Sequence, residues 1–195
     1  MELYEKGYLP EKDIGFKANF GNAEALVKLV DLMGKREGIG DILSEGGYAL
    51  AEKYGHPELF MGVKKQGLPA YDPRGVQGMG LGYATSNRGA CHVRSYLIAT
   101  EILGVNKKRD PADTEEKPSV LKAFQDFTAV VDSCGLCLFL ALAEGYGPED
   151  LVPLLEVATG ESFSVEDLMA VGERIWNLER MFNIKAGITG EDDTL

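Results

Sequence analysis

Six consecutive residues combine a carboxylate, two thiols and a glycine within an otherwise apolar stretch: Asp132-Ser133-Cys134-Gly135-Leu136-Cys137. The carboxylate of Asp132 can accept hydrogen bonds from the ring N–H groups of a polar heterocycle. Gly135 allows the backbone to turn or to approach a ligand closely. The same residues also fit a plain helix end, at which Asp132 hydrogen-bonds to nearby backbone. By themselves they leave a ligand site and a structural helix end open.

The cysteines favour reduced thiols or metal ligands over disulfides. The chain has three of them, an odd number, and carries no export signal. Cys134 and Cys137 form a single Cys-x-x-Cys, and no second pair completes a zinc site. A metal would stabilise a thiolate of Cys137, but iron–sulfur clusters usually take four cysteines, and that set is absent from the sequence. A lone buried cysteine is more often a small apolar side chain than a ligand.

A second cluster of ionisable residues lies at Arg88, His92 and Arg94, where a glycine-rich segment ends. Imidazole is suited to proton transfer near neutral pH, and guanidinium groups bind phosphate. Gly89 lets the backbone approach a ligand. The alternative is that His92 is a hydrogen-bonded core residue or stands at a helix start.

Composition excludes several functional classes. An apolar fraction of 45% and a charged fraction of 26% are typical of a globular protein. The net charge of −11 argues against nucleic-acid binding, which depends on Lys and Arg. No apolar run reaches the roughly 18 residues of a membrane span, and no secretory leader opens the chain. We therefore expect a cytoplasmic protein without a membrane segment.

Hydrophobic periodicity predicts an all-α fold of about seven or eight helices. Asn22 is the predicted N-cap of a helix that ends near Gly38. Ser164 and Asp167 form a capping box before a helix that ends near Phe182. The inward residues of that last helix are predicted to be Ile175, Leu178 and Met181. Further helices are expected at 41–54, 93–103, 119–131, 136–144 and 149–159. The helix at 136–144 is apolar on every side, so we expect it to be central.

Residues 61–90 interrupt the helical pattern. They contain seven glycines and two prolines, and no helical period survives among them. Their aromatic content, including Tyr71 and Tyr83, favours order over a flexible linker. We expect a long ordered loop, since structureless segments of this length in compact domains are usually functional or disordered.

Several segments together carry a resemblance that no single one carries: Phe20-Gly21-Asn22-Ala23-Glu24-Ala25, Leu68-Pro69-Ala70-Tyr71-Asp72-Pro73-Arg74-Gly75, Gly80-Leu81-Gly82-Tyr83-Ala84-Thr85, Asn87-Arg88-Gly89, Cys91-His92, and Asp132 to Phe139. With them the chain resembles, over essentially its whole length, the C-terminal part of the aldehyde ferredoxin oxidoreductases, which are tungsten–pterin enzymes. The last segment fits the family's Asp-x-x-Gly-Leu-Cys pterin signature.

The resemblance implies an oxidoreductase that oxidises an aldehyde with water to a carboxylate and passes two electrons through a 4Fe-4S cluster to ferredoxin. It implies that tungsten is held by the dithiolenes of two molybdopterin-type pterins, not by protein side chains. On this basis Asp132 binds one pterin, with the backbone of Leu136 beside it, and Cys137 is the fourth cluster ligand. Which aldehyde is oxidised, and whether the metal is tungsten or molybdenum, stays open.

The resemblance also assigns roles around the histidine. His92 matches the family's histidine near the metal, a proton donor or acceptor for the aldehyde. Arg88 and Arg94 match basic positions that contact the pterin. Where many relatives have Lys, this chain has Arg94, which keeps the charge but changes the reach of the side chain.

The departures from the family pattern are equally clear in the sequence. The Cys-x-x-Cys-x-x-x-Cys that supplies three cluster ligands is absent, as are the first pterin motif and the N-terminal β-rich domain. We expect 1–90 to be the end of the middle domain and 91–195 to be part of the C-terminal domain. The isolated chain is expected to hold no cofactor and to be inactive. It would be a fragment, or one half of a split enzyme whose N-terminal domains come from a partner chain.

Partners are implied less directly. Ferredoxins are typically acidic, so docking on this acidic chain would need a local basic patch, for which Lys107-Lys108-Arg109 is the candidate; a solvated loop is the alternative. The Glu-x-x-His that some relatives use for a metal at a dimer interface does not occur, and a homodimer stays open. Two other functions remain as alternatives: a non-catalytic helical interaction module derived from such an enzyme, and a small zinc protein built on Cys134 and Cys137.

Overall fold

The computed structural model describes residues 1–143 and 145–195, with residues 141–143 described by their backbone only. The chain divides into two compact units, Met1–Gly67 and Leu68–Leu195. Ten α-helices and one small hairpin lie in the described part of the chain, which confirms the all-α prediction. None of the helices in these residues is long and apolar enough to cross a bilayer. The expected domain boundary near residue 90 stays a prediction.

The first unit consists of short helices followed by a hairpin. Its elements are α1 (Glu2–Glu5), α2 (Glu11–Ile14), α3 (Ala23–Lys35), α4 (Ile39–Ser44), α5 (Gly47–Lys53), a 3-10 turn (Pro57–Leu59), β1 (Gly62–Val63) and β2 (Gln66–Gly67). The two strands are antiparallel and pair Gly62 with Gly67. The predicted cap of α3 is confirmed, because the side chain of Asn22 accepts a hydrogen bond from the Ala25 N–H at 3.0 Å. The core of this unit is formed by Leu3, Leu9, Ile14, Ala18, Ala25 and Ile39.

The single helix expected at 41–54 is wrong, since the chain breaks there into α4 and α5. Gly46 stands at the break with φ of +102°, a backbone conformation that favours glycine. Gly47 packs closely against Phe60, where an added Cβ would lie 3.0 Å from the ring. The glycine pair therefore supplies a turn at its first residue and a close contact at its second.

The second unit contains all of the candidate site residues. Its elements are α6 (Gln77–Thr85), a 3-10 turn (Val93–Ser95), a π-helical turn (Ala99–Leu103), α7 (Lys117–Ser133), α8 (Leu138–Ala143), α9 (Pro148–Thr159), α10 (Val165–Lys185) and a 3-10 turn (Gly190–Asp192). The capping box of α10 is confirmed: the Ser164 Oγ accepts from the Asp167 N–H, and the Asp167 carboxylate accepts from the Ser164 N–H, both at 3.0 Å. α7 packs against α10. One core cluster of this unit is formed by Val130 and Val131 of α7, Leu151 of α9 and Leu168 of α10.

The prediction of a helix-free loop at 61–90 is wrong for the nine residues of α6. The glycines of α6 serve close packing. An added Cβ on Gly78 would lie 2.6 Å from the Leu97 side chain, and one on Gly82 would lie 3.0 Å from the Ser95 Cβ. Tertiary contact thus overrides the low helix propensity of glycine.

A buried ion pair joins the starts of α6 and α7. Glu101, in the π-helical turn, is fully buried and accepts a hydrogen bond from the Gly78 N–H at 2.9 Å. Its carboxylate pairs with the buried ammonium of Lys117, which also donates to the Asp110 carbonyl at 2.8 Å.

The continuous helix expected at 93–103 is wrong, because the chain there forms a 3-10 turn and a separate π-helical turn.

Two apolar surfaces expected in the core lie at the surface of the second unit. Phe139 of α8 is 66% exposed, and Leu178 and Met181 of α10 are 67% and 56% exposed. The inward orientation predicted for Leu178 and Met181 is therefore wrong for this chain, and the predicted central position of 136–144 is wrong at Phe139. The side chains of 141–143 and all of Glu144 lie outside what the structure describes. Periodicity shows that one side of a helix is apolar, but does not show what covers it.

Candidate functional site

The junction of α7 and α8 presents a carboxylate and a thiol to solvent. Gly135 adopts φ of +69°, and its N–H donates to the Asp132 carbonyl at 3.1 Å. The Leu136 N–H donates to the Val131 carbonyl at 3.2 Å, which ends α7 in a tight C-terminal turn. Asp132 and Cys137 are exposed, whereas Leu136 packs against the core. The glycine therefore turns the chain, as its position in the sequence predicted.

The two cysteines of this junction differ in environment. Cys134 is half-buried, and burial raises the pKa of its thiol; Cys137 is exposed. Across the described residues, no group of three or more His, Cys, Asp or Glu side chains is arranged to hold a metal ion. Cys137 is thus an accessible thiol that belongs to no such group among those residues.

The segment that carries the basic residues is anchored to α10. The Asn87 Nδ2 donates to the Trp176 carbonyl at 3.0 Å, and the Asn183 Nδ2 donates to the Asn87 carbonyl at 2.7 Å. Gly89 turns the chain with φ of +88°. Arg88 is exposed and donates from Nη2 to the Cys91 Sγ at 3.0 Å.

His92 lies within a group of tyrosines. Its ring centroid is 5.6 Å from that of Tyr71 and 6.0 Å from that of Tyr96, and the hydroxyl oxygens of these two tyrosines are 3.0 Å apart. Burial lowers the pKa of His92, and the guanidinium of Arg88 lowers it further. The hydrogen bond with Tyr71, together with burial, raises the pKa of Tyr96 to about 12. At neutral pH, His92 is therefore an uncharged imidazole beside the protonated phenol of Tyr96.

Arg94 is not the open phosphate-binding fork that its charge suggested. Its side chain is 5% exposed, and its Nη1 and Nη2 each donate to a carboxylate oxygen of Glu179 at 3.1 Å. The guanidinium also lies over the Trp176 ring, 5.0 Å from the centroid. The Nε is 3.6 Å from the Asp132 Oδ2, beyond hydrogen-bonding distance, and finds no hydrogen-bond partner among the described residues.

The structure therefore forms two pairs from the predicted site residues. Arg94 and Asp132 are neighbours at the end of α7, and Arg88 lies close enough to His92 to lower its pKa. Sequence reasoning did not include Tyr96 or Glu179 in the site. Tyr96 could have been noticed four residues after His92, but nothing in the sequence marks Glu179, which is 85 residues from Arg94.

The basic triplet is engaged in local contacts. Lys107 pairs with Glu116 at 3.1 Å, and the Arg109 Nε lies 3.5 Å from the same carboxylate. Lys108 donates to the Ile102 carbonyl at 2.6 Å. These contacts favour the structural alternative for the triplet over a free basic docking patch.

Comparison with protein families matches residues 1–195 to the model described as "Aldehyde ferredoxin oxidoreductase, domains 2 & 3". Among curated proteins, the chain is 54% identical over 199 residues to the tungsten-containing aldehyde ferredoxin oxidoreductase of Pyrococcus furiosus. It is 51% identical over 199 residues to the protein of the same name from Thermococcus kodakarensis. Each match covers 100% of this chain and 33% of the relative, so the chain spans about a third of the length of these proteins.

A more distant relative has a different name. The chain is 27% identical over 187 residues to the aliphatic sulfonate oxidoreductase, WOR-like subunit, of Pyrococcus furiosus, covering 95% of this chain and 28% of that protein. Similarity therefore extends beyond proteins named for aldehydes.

Proposed function

Because this chain belongs to the aldehyde ferredoxin oxidoreductase family, we propose that it is the helical, cofactor-binding portion of a tungsten–pterin enzyme that oxidises aldehydes to carboxylates. The observation that carries the proposal is the α7–α8 junction. There, an exposed carboxylate at Asp132 and an exposed thiol at Cys137 stand five residues apart on either side of a glycine turn. Both groups are accessible to a ligand at this turn, which supports the ligand site over the plain helix end.

The residues at this junction fit a pterin and an iron–sulfur ligand. Asp132 can accept ring N–H groups, and the Nε of Arg94 is a buried donor beside it that no described residue satisfies. Asp132, Arg88, Arg94 and the backbone of Leu136 would hold the pterin, and the Cys137 sulfur would bind iron. The bound tungsten–pterin group supplies two-electron redox chemistry.

His92 is the proposed proton acceptor. Oxidation of an aldehyde with water to a carboxylate releases two electrons and three protons, so the reaction needs a base close to the substrate. The lowered pKa of His92 keeps its imidazole uncharged at neutral pH and ready to accept one of these protons. Tyr71 and Tyr96 pack around the ring and hold its orientation.

Cys137 is the proposed exit for electrons. Cys137 would bind one iron of a 4Fe-4S cluster, five residues along the chain from the pterin-binding Asp132, and the remaining cluster ligands would come from outside this chain. Ferredoxin is the proposed acceptor, supported by the names of the relatives. Its docking surface is not assigned to the basic triplet, because Glu116 neutralises part of that charge.

The test uses a full-length enzyme that contains this chain. Cys137→Ala should lower iron content and change the cluster spectrum, whereas Cys134→Ala, in the same turn, should change neither. His92→Ala should lower kcat while tungsten content is retained, since the histidine moves a proton and does not hold the metal. An unchanged iron content in Cys137→Ala would reject the ligand assignment and favour the non-catalytic module. Full turnover of His92→Ala would reject the proton-transfer role.

A further inference from the structure

One side of α10 holds the segment that carries the basic residues of the site. Trp176, Glu179 and Asn183 follow each other at spacings of three and four residues, so they share a helix face; we call them the α10 stripe. The Trp176 backbone carbonyl accepts a hydrogen bond from the Asn87 side chain, and the Asn183 side chain donates to the Asn87 backbone carbonyl. Glu179 binds Arg94 through two hydrogen bonds. The stripe therefore contacts this segment near both of its ends.

Arg94 has two carboxylates within reach but uses only one of them fully. Both terminal nitrogens donate to Glu179 at 3.1 Å, whereas the nearest approach to Asp132 is 3.6 Å, from Nε. Asp132 consequently keeps an exposed carboxylate, with 41% of its side chain accessible. The distribution of bonds leaves one carboxylate engaged by the guanidinium and the other open.

A buried guanidinium needs a counter-charge, because removal from water is unfavourable for an unpaired ion. If Glu179 lost its charge, the nearest remaining carboxylate for Arg94 would be Asp132. A small rotation would bring the terminal nitrogens onto Asp132 in the two-pronged geometry that arginine prefers with carboxylates. Asp132 would then be occupied by a protein side chain.

We propose that Glu179 is a positioning residue: by binding both terminal nitrogens of Arg94, it prevents Arg94 from closing on Asp132 and so keeps that carboxylate available to the N–H groups of a ligand. The inference rests on the proposed function, in which Asp132 binds the pterin. Glu179 itself touches neither substrate nor metal and is proposed to act through Arg94, although its Oε2 also accepts a hydrogen bond from the Asn87 Nδ2 at 3.4 Å.

The geometric part is tested by NMR of arginine side chains in the 195-residue chain. Separate, slowly exchanging Hη signals of Arg94 should persist in Asp132→Asn, because Glu179 still holds the terminal nitrogens. In Glu179→Gln these signals should shift, and NOEs from Arg94 Hη to the Asp132 Hβ protons should appear. Glu173→Gln is the matched control, since Glu173 is on the same helix and faces Lys122 at 3.3 Å. Loss of the Hη signals in Asp132→Asn, or no change in Glu179→Gln, would overturn the proposal. Asp132→Asn changes an exposed side chain, so this variant still tests the proposal if Glu179→Gln fails to fold.

The functional part is tested by pterin and tungsten content in a full-length enzyme that contains this chain. Asp132→Asn and Glu179→Gln should both weaken retention, by about tenfold as for other residues that orient a ligand-binding group, and Glu173→Gln should not. If Asp132→Asn loses cofactor while Glu179→Gln keeps it, the positioning role is wrong and the proposed function stands. If Asp132→Asn keeps its cofactor, the proposed role of Asp132 fails, and with it the purpose assigned to Glu179.

Discussion

Arg94 is tied to α7 by the Thr128 Oγ1, which donates to the Arg94 carbonyl at 2.8 Å, and Glu179 lies on α10, so their contact depends on how α7 and α10 cross. That crossing depends on one glycine. Gly172 of α10 is buried, and a Cβ added there would overlap the Asp126 carbonyl group of α7 and lie 3.0 Å from the Asp126 Cα. The neighbouring atoms belong to the backbone of another helix, so they cannot rotate aside as a side chain would. Gly172→Ala should therefore force the two helices apart.

The size of the effect follows from two opposing terms. Overpacking a core typically costs about 1–3 kcal/mol, and a clash with rigid backbone belongs at the upper end. Alanine improves helix propensity over glycine by about 1 kcal/mol. The net loss for Gly172→Ala should thus be about 2 kcal/mol, which is about a 30-fold change in the unfolding equilibrium. At about 4 °C per kcal/mol, the Tm should fall by about 8 °C.

Urea titration and calorimetry of the purified chain measure these quantities. Gly34→Ala is the control, because Gly34 lies in α3 with no atom within 4 Å of an added Cβ. That variant should gain up to about 1 kcal/mol from propensity alone. If Gly172→Ala were as stable as the wild type or more stable, while Gly34→Ala behaved as stated, the close crossing of α7 and α10 would be refuted.

Two further predictions concern the site. The pKa of His92 is lowered below its ordinary 6.5, so near that pH the folded state binds fewer protons than the unfolded state. The stability that neutral His92 contributes is therefore complete above about pH 6.5, and it is lost as acidification passes through the lowered pKa. His92→Gln should reduce the fall in unfolding free energy between about pH 7 and pH 5 in urea titrations, and an unaltered pH dependence would contradict this. Iodoacetamide should alkylate Cys137 several-fold faster than Cys134, because the latter is half-buried with a raised pKa; mass spectrometry that found equal rates would contradict the exposure difference.

The helix ends were predictable because their signals are local. Asn22 caps α3 through the N–H three residues later, and Ser164 and Asp167 cap α10 over the same spacing. Gly135 could likewise be assigned to a turn, since it follows an amphipathic helix, and its positive φ confirms the turn. Such bonds form within one turn of the chain and need no knowledge of distant residues.

The helix α6 could not be predicted by the same reasoning. Its glycines give no helical signal. The helix forms because the side chains of Leu97 and Ser95 pack against Gly78 and Gly82, in the space that a Cβ on either glycine would need. The exposure of Leu178 and Phe139 could not be predicted from the sequence either, since an apolar pattern is the same whether or not another element covers it. The proposed roles of the site residues stay predictions for the same reason: they concern ligands and domains beyond these contacts.

By itself, the sequence determined the all-α class, the caps, the family, and the presence of a carboxylate and a thiol around a glycine turn at Asp132 and Cys137. Only the tertiary structure decided the partner of Arg94 and hence which carboxylate at the site remains open. The physical reason is distance along the chain: a cap joins residues three apart, whereas Arg94 meets Glu179 across 85 residues, at a place set by how closely α7 and α10 can pack.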